Sequence, residues 1–222
     1  MLSKKKDIWI VISLCVLAFY IVFMIFPLGI LFKNAVIENN GSFTFAYFTK
    51  FLSKNYYFST IFNSFKVSLA ATALTLIIGT PLAYFYNMYK IKGKTFLQII
   101  IILCSMSAPF IGAYSWILLL GRNGLITNTI KNLTGFNFPS IYGFGGILLV
   151  LCMQLYPLVF LYVSGALRNI DNSLLEASEN MGCTGAKRFF KIIIPLCIPT
   201  ILAAALMVFM RAFADFGTPL FI

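Results

Sequence analysis

Few side chains in this 222-residue chain are able to do acid–base or metal chemistry. Asp7, Glu38, Asp171, Glu176, Glu179 and Asp215 are its six acids, and it has no histidine. Without histidine there is no Ser-His-Asp triad, no Cys-His pair and no imidazole metal site. The five cysteines (Cys15, Cys104, Cys152, Cys183, Cys197) form no CxxC pair. Their odd number, in apolar or cytoplasmic-type segments, argues against a disulfide framework and a thiolate cage. Gly93-Lys94-Thr95 has the tail of a phosphate-binding loop, but Met88 stands where its first glycine belongs, and the segment follows an apolar helix instead of a strand. No catalytic residue and no metal site is expected. Two patterns remain. Arg211 and Asp215 are four residues apart and can share one helix face. Glu176-Ala177-Ser178 is followed at fixed distances by Gly182 and Pro195.

Those residues must be positioned by membrane helices. Sixty per cent of the chain is hydrophobic, only 10% is charged, and mean hydropathy is +0.93. A typical soluble domain has about 25% charged residues. Five apolar runs approach or exceed the roughly 20 residues of a crossing: Ile8 to Phe32, Val67 to Tyr89, Phe96 to Leu120, about Ile141 to Ala166, and Ile192 to Met210. The first is too long for a cleaved leader and ends in Pro27, Gly29 and Lys33, so it reads as a retained helix. The fold class is therefore all-α and polytopic. Asn34 to Ser59 reads as an external amphipathic stretch, and Asn123 to Ser140 as turns.

Loop charge sets the orientation. With the N-terminus inside, the inner segments carry ten cations: Lys4, Lys5, Lys6, Lys90, Lys92, Lys94, Arg168, Lys187, Arg188 and Lys191. The outer segments carry five: Lys33, Lys50, Lys54, Arg122 and Lys131. The net charge of +11 thus reads as membrane orientation and lipid contact, and no nucleic-acid partner is expected.

The inner loop Arg168 to Pro195 is the longest of its side. Ser173-Leu174-Leu175-Glu176 has the form of a capping box, predicting a helix from Leu174 to about Met181. Gly182 is placed to end it in a left-handed conformation. Thr184 is placed to cap a second helix from Gly185 through Lys191, and Pro195 to separate the loop from the fifth span. Leu174, Leu175, Ala177, Ser178 and Met181 form one small apolar surface in this reading.

Glu176-Ala177-Ser178, three residues, Gly182, nine residues, then Ile192-Ile193-Ile194-Pro195 resembles the EAA loop of permease subunits in type I binding-protein-dependent ABC importers. That motif reads E-A-A, three residues, G, nine residues, I-x-L-P. Five positions are identical, Ser178 replaces alanine and Ile194 replaces leucine. Asn63-Ser64 and Gly79-Thr80-Pro81-Leu82-Ala83 look like the permease core. Ala214-Asp215-Phe216-Gly217-Thr218-Pro219 resembles the ferric-iron, thiamine and aminophosphonate branch.

The resemblance implies a six-helix permease core. Residues 1–59 would hold the first helix and the external segment, and 60–222 the core with its loop at 168–195, cut before the last helix. It could be the N-terminal part of a fused two-half permease. Leu174, Leu175, Glu176, Ala177, Ser178, Gly182 and Pro195 would couple the chain to a separate dimeric ATPase, which holds ATP and magnesium. This chain itself would carry no cofactor and no enzymatic activity. The other implied partners are an extracytoplasmic substrate-binding protein, a second permease half or homodimer partner, and membrane lipid. Arg211, Asp215, Pro81 and Pro109 are the candidate gate or pathway residues. The implied location is the bacterial plasma membrane, and the implied cargo ferric iron. Polyamine, thiamine, aminophosphonate or an oxyanion are the alternatives. A truncated, non-transporting membrane scaffold is the rival of another class.

Overall fold

Helices account for nearly all of the architecture, because a chain in hydrocarbon must satisfy every backbone N–H and C=O within itself. A computed structural model describes residues 2–37, 42–89, 92–106, 108–135 and 141–222. The helices are α1 (Leu2–Tyr20), α2 (Phe26–Val36), α3 (Ala46–Leu52), α4 (Asn55–Met88), α5 (Lys94–Ser105), α6 (Pro109–Leu120), α7 (Leu125–Thr134), α8 (Phe144–Arg168), α9 (Asn172–Asn180), α10 (Gly185–Arg188), α11 (Ile194–Phe213) and α12 (Gly217–Phe221). Among the described residues the extended pairing is a single bridge, Ile37 to Phe43. The chain divides into two compact units, Met1–Phe62 and Asn63–Ile222.

In the first unit, α1 and α2 are joined by a π-helical turn over Ile21–Ile25. Pro27 follows it directly. A proline ring in a helix clashes with the carbonyl four residues back, here that of Phe23. Widening the turn around Phe23 relieves the clash and keeps the helix continuous. The apolar side chains along Ile8–Val36 are almost all exposed, as hydrocarbon contact requires. The stretch expected to be amphipathic holds α3 and the first turns of α4, with Phe51 stacked on Tyr57 at 4.6 Å. Residues 38–41, which include Glu38, lie outside the described set.

The second unit is built on α4, α8 and the α11 helix. Val159, Phe160 and Val163 of α8 are almost fully buried against Ala71, Ala83 and Tyr86 of α4 and Val208 and Ala212 of α11. Gly79 makes the approach of α4 and α8 possible. A Cβ there would meet Val159 Cβ at 2.7 Å and the Tyr156 carbonyl at 3.1 Å. The buried hydroxyls of Ser68, Thr72 and Thr75 donate to the carbonyls of Ser64, Ser68 and Ala71, so α4 hides its polar groups along its own backbone.

The expected spans are corrected in three places. The second helix begins at Asn55, twelve residues before Val67, because nothing between Tyr56 and Lys66 breaks a helix. The third span is not continuous: α5 and the α6 helix are bent by 105°. Pro109 disfavours helical backbone in the residue before it, and Ala108 is accordingly extended (φ −67°, ψ 137°). Among the described residues four helices are long and apolar enough to cross a membrane, or five if the bent pair is one span. Finally, α7 occupies part of the segment expected to be turns. Gly135 ends it at φ +68°. Pro139 and the rest of 136–140 lie outside the described residues, as does Lys90.

Gly79→Ala is expected to lower the midpoint of denaturation in mixed detergent, since a Cβ at 2.7 Å from a buried side chain forces α4 and α8 apart. Overpacking of this kind costs roughly 1–3 kcal/mol. Gly165→Ala on α8 serves as the control: its Cβ meets nothing within 4 Å, so it is expected to be neutral or to stabilise by about 0.5–1 kcal/mol.

Candidate functional site

The loop between α8 and α10 is a short helix stapled at both ends. Asp171 is its N-cap, and the carboxylate Oδ1 accepts a hydrogen bond from the Ser173 N–H at 2.9 Å. The expected cap, Ser173, lies inside the first turn instead. Glu176 is exposed and caps nothing, because Asp171 already sits at the residue where the backbone turns helical. The hydrogen bonds of the Ser173 backbone and hydroxyl hold the Asp171 carboxyl below the ordinary carboxylate range. At the other end, the Cys183 N–H donates to the Ser178 carbonyl and the Gly182 N–H to the Glu179 carbonyl, each at 2.9 Å. This is a Schellman ending. It places Gly182 at φ +74°, with nothing near its absent Cβ. Glycine is needed there for backbone conformation and not for space.

The apolar surface expected on α9 divides into two faces. Ser178 is 1% exposed, its hydroxyl donating to the Leu175 carbonyl at 2.7 Å, and Leu175 packs against the main core. That face belongs to the chain's own fold, so the small size of Ser178 serves internal packing. Leu174, Ala177 and Met181, at i, i+3 and i+7, are exposed, with Leu174 at 50% and Met181 at 76%. Glu176 and Glu179 are exposed beside them, and Glu179 meets Arg188 at 3.5 Å.

Pro195 does not separate the loop from the last long helix. Phe189–Ile193 is a π-helical turn, and it joins α10 to α11 without a break. The cause is the one seen at Pro27: the carbonyl that Pro195 would strike is that of Lys191, inside the widened turn. Tyr84 of α4 packs on Phe189 at 4.6 Å.

A polar cluster ties the loop to the bundle, and sequence reasoning missed it. Gln98 Oε1 on α5 accepts from the Tyr86 hydroxyl of α4 at 2.7 Å and from Arg168 Nη2 at the end of α8 at 3.3 Å. Lys94 Nζ lies 4.6 Å from the Tyr86 ring centroid, a cation–π contact. Nearby, the Asn87 amide donates to Ser164 Oγ at 2.8 Å. One amide oxygen thus joins the ends of three helices next to the loop. The available signal was a lone glutamine in an apolar run, which is costly in a membrane unless it has a task.

At the opposite end of the α8–α11 pair lies a cleft of about 380 Å³, lined by Phe110, Gln154, Arg211, Asp215 and Phe216 among others. Arg211 and Asp215 reach it together but do not share a helix face as expected, because α11 stops at Phe213. Asp215 caps α12: Oδ1 accepts from the N–H groups of Gly217 and Thr218, and Oδ2 accepts from the Thr218 hydroxyl. Pro81 lines a different, apolar cleft between α4 and α11. Pro109 opens α6, and its side chain is outside the described set. Among the described residues no cluster of three or more acids and cysteines could hold a metal.

These features define a multi-pass α-helical membrane protein with a capped interhelical loop at one end and a polar cleft at the other. The family described as "Binding-protein-dependent transport system inner membrane component" matches residues 75–222, two thirds of the chain, and the chain belongs to that family. FbpB 1 of Haemophilus influenzae, which bears the name of a ferric transport system permease, is 28% identical over 99% of this chain. The chain spans 35% of that relative's length. PhnU of Salmonella typhimurium, which bears the name of a 2-aminoethylphosphonate transport system permease, is 23% identical over the whole chain and 77% covered in return. The fold is similar to a crystal structure of a bacterial alginate ABC transporter in complex with a periplasmic protein, with a TM-score of 0.76 at 16% identity, covering 98% of this chain and 80% of that one.

Two outcomes are expected for the loop. Because the Asp171 carboxyl is held low when folded, its cap contributes stability above the ordinary carboxylate range and loses it as pH falls through the lowered value. The protection of the Ser173–Ala177 amides, taken as exchange relative to the unfolded-chain rate at the same pH, should therefore fall at acid pH in the natural chain, and should already be low at neutral pH in Asp171→Ala. Gln98→Leu removes the shared acceptor of Tyr86 and Arg168. It should speed amide exchange at the start of the loop, Asn169–Asn172, several-fold, while the α8 core around Val159 stays protected.

Proposed function

We propose that the chain is the membrane-spanning permease part of an ATP-driven importer, and that α9 docks on a separate dimeric ATPase. The observation that carries this is the division of α9 into two faces. One face is fixed to the permease core through Leu175 and Ser178, and the other presents Leu174, Ala177 and Met181 outward on a helix capped at both ends. A rigid helix with an unpartnered apolar stripe is suited to insertion into a groove of a moving partner. The chain's matching of the EAA pattern at Glu176, Ala177, Gly182, Ile192 and Pro195 supports the same reading, as does the family. ATP and magnesium belong to that partner, and the chain itself does no catalysis.

In this reading the N-terminus and α9 face the cytoplasm, supported by the excess of lysine and arginine on that side. The cleft at Arg211 then faces outward, where a substrate-binding protein delivers cargo, and a second permease half completes the path. The proposed cargo is ferric iron, supported by a relative so named that aligns along nearly the whole chain. A second reading, an aminophosphonate, rests on the PhnU relative, of which the chain covers the larger share.

The test is recovery of an ATPase with the chain purified from its own membranes in mild detergent. The natural chain is expected to bring down a nucleotide-hydrolysing subunit. Leu174→Asp with Met181→Asp should reduce that recovery at least tenfold, while thermal stability stays unchanged because both side chains are exposed. Undiminished recovery with the double variant would overturn α9 as the docking element. ATPase recovery without uptake of radiolabelled ferric iron or 2-aminoethylphosphonate in proteoliposomes would favour a scaffold.

A further inference from the structure

Gln154 is the second of the chain's two glutamines, in the middle of α8 and flanked by Met153 and Leu155. A primary amide at that depth needs partners, since no water competes for it there. Yet Gln154 Oε1 is buried and accepts no hydrogen bond among the described residues. The contrast with Gln98 is informative, because Gln98 Oε1 accepts two. Nothing in the packing of α8 therefore accounts for Gln154.

Its place does. Gln154 lines the cleft of about 380 Å³ that also holds Arg211 and Asp215. It lines as well a neighbouring cavity of about 310 Å³ against Ser115, Trp116 and Tyr156. Its amide stands where the two spaces meet, at about the midpoint of a 25-residue helix.

The three polar groups of the cleft differ in what they still offer. Both carboxylate oxygens of Asp215 are taken up by Gly217 and Thr218. Arg211 makes no ion pair among the described residues and keeps its guanidinium donors. The Gln154 amide offers one acceptor and two donors, and it can turn either edge to a ligand. The formal charges of Arg211 and Asp215 balance, but the Asp215 oxygens already accept three hydrogen bonds while the Arg211 and Gln154 donors make none among the described residues, so the unused hydrogen-bonding capacity lies on the donor side. Such a lining suits an oxygen-rich anion that also carries an O–H or N–H.

Building on the permease reading above, we infer that Gln154 contacts the cargo, and that the cleft between Arg211 and Gln154 takes an anionic oxygen-bearing group such as a phosphonate or a carboxylate. A polyamine would face Arg211 and find one carboxylate, that of Asp215, already bound to Gly217 and Thr218. A ferric ion fits only inside an anionic shell of oxygen ligands, with Arg211 and Gln154 touching the shell and not the metal.

The experiment uses the full complex, with its ATPase and binding protein, in proteoliposomes. The probes are ferric citrate, 2-aminoethylphosphonate and spermidine. The natural complex is expected to take up an anionic probe. Gln154→Leu and Arg211→Gln should each lower that uptake at least tenfold with ATPase recovery unchanged. Gln154→Leu removes an unpaired polar group from a membrane helix, so its fold should hold. Gln154→Glu sets a carboxylate against the anion and should lower uptake further than Gln154→Leu does. Uptake within twofold of natural in Gln154→Leu would overturn the assignment, and so would spermidine as the transported probe. A natural complex that neither recovers an ATPase nor takes up any probe would overturn the permease reading itself, and this inference with it.

Discussion

Backbone hydrogen bonding in hydrocarbon is the constraint on which the rest of the structure depends, and proline is where it is tested. Each proline removes a donor and strikes the carbonyl four residues back. The chain answers in three ways. At Pro27 and Pro195 the preceding turn widens into π-helix and the rod continues. At Pro81, Pro157 and Pro199 the helix absorbs the missing donor in place. At Pro109 it gives way altogether, and α5 and the α6 helix part at a sharp angle. The consequence at Pro195 matters most. From Gly185 to Phe213 the backbone stays helical, a rod of roughly 44 Å at 1.5 Å per residue. One end of that rod adjoins α9, and the other carries Arg211 into the cleft.

Such a rod is useful only if its near end cannot slip. Two kinds of contact hold the α9 region. Leu175 and Ser178 root the short helix in the apolar core, and the Asp171 cap with the Gly182 turn fixes its length. The Gln98 cluster then ties α4, α5 and the end of α8 together through one amide oxygen. The tie uses hydrogen bonds and a cation–π contact instead of an ion pair. This spares the chain from burying a carboxylate among aromatic and aliphatic neighbours, where the desolvation cost of a charge is high. A push on α9 would therefore reach several helices together.

The cleft at the other end has a complementary character. Its acid is spent on capping α12, so the polarity left over comes from Arg211 and from an amide that no described neighbour satisfies. Among the described residues no constellation is able to grip a metal tightly.

Much of this was legible in the residues themselves. Hydropathy and length located four long apolar helices, because the ≈ 30 Å of hydrocarbon to be crossed leaves few alternatives, but not the early start of α4 or the break between α5 and α6. The spacing of Glu176, Gly182 and Pro195 marked the loop, and Gly182 had to be left-handed because a helix ending in that turn admits little else. The prolines were visible too, but whether each one kinks, widens or breaks its helix depends on what packs around it. The three-dimensional fold alone decided that Asp171 caps α9, that Ser178 turns inward while Met181 turns outward, and that Asp215 serves α12 and not Arg211. It also distinguished two glutamines that look alike in sequence, one satisfied and one not. Local pattern reports what a residue is able to do; only the neighbours brought together across α4, α5, α8 and α11 settle which of its hydrogen bonds are already made.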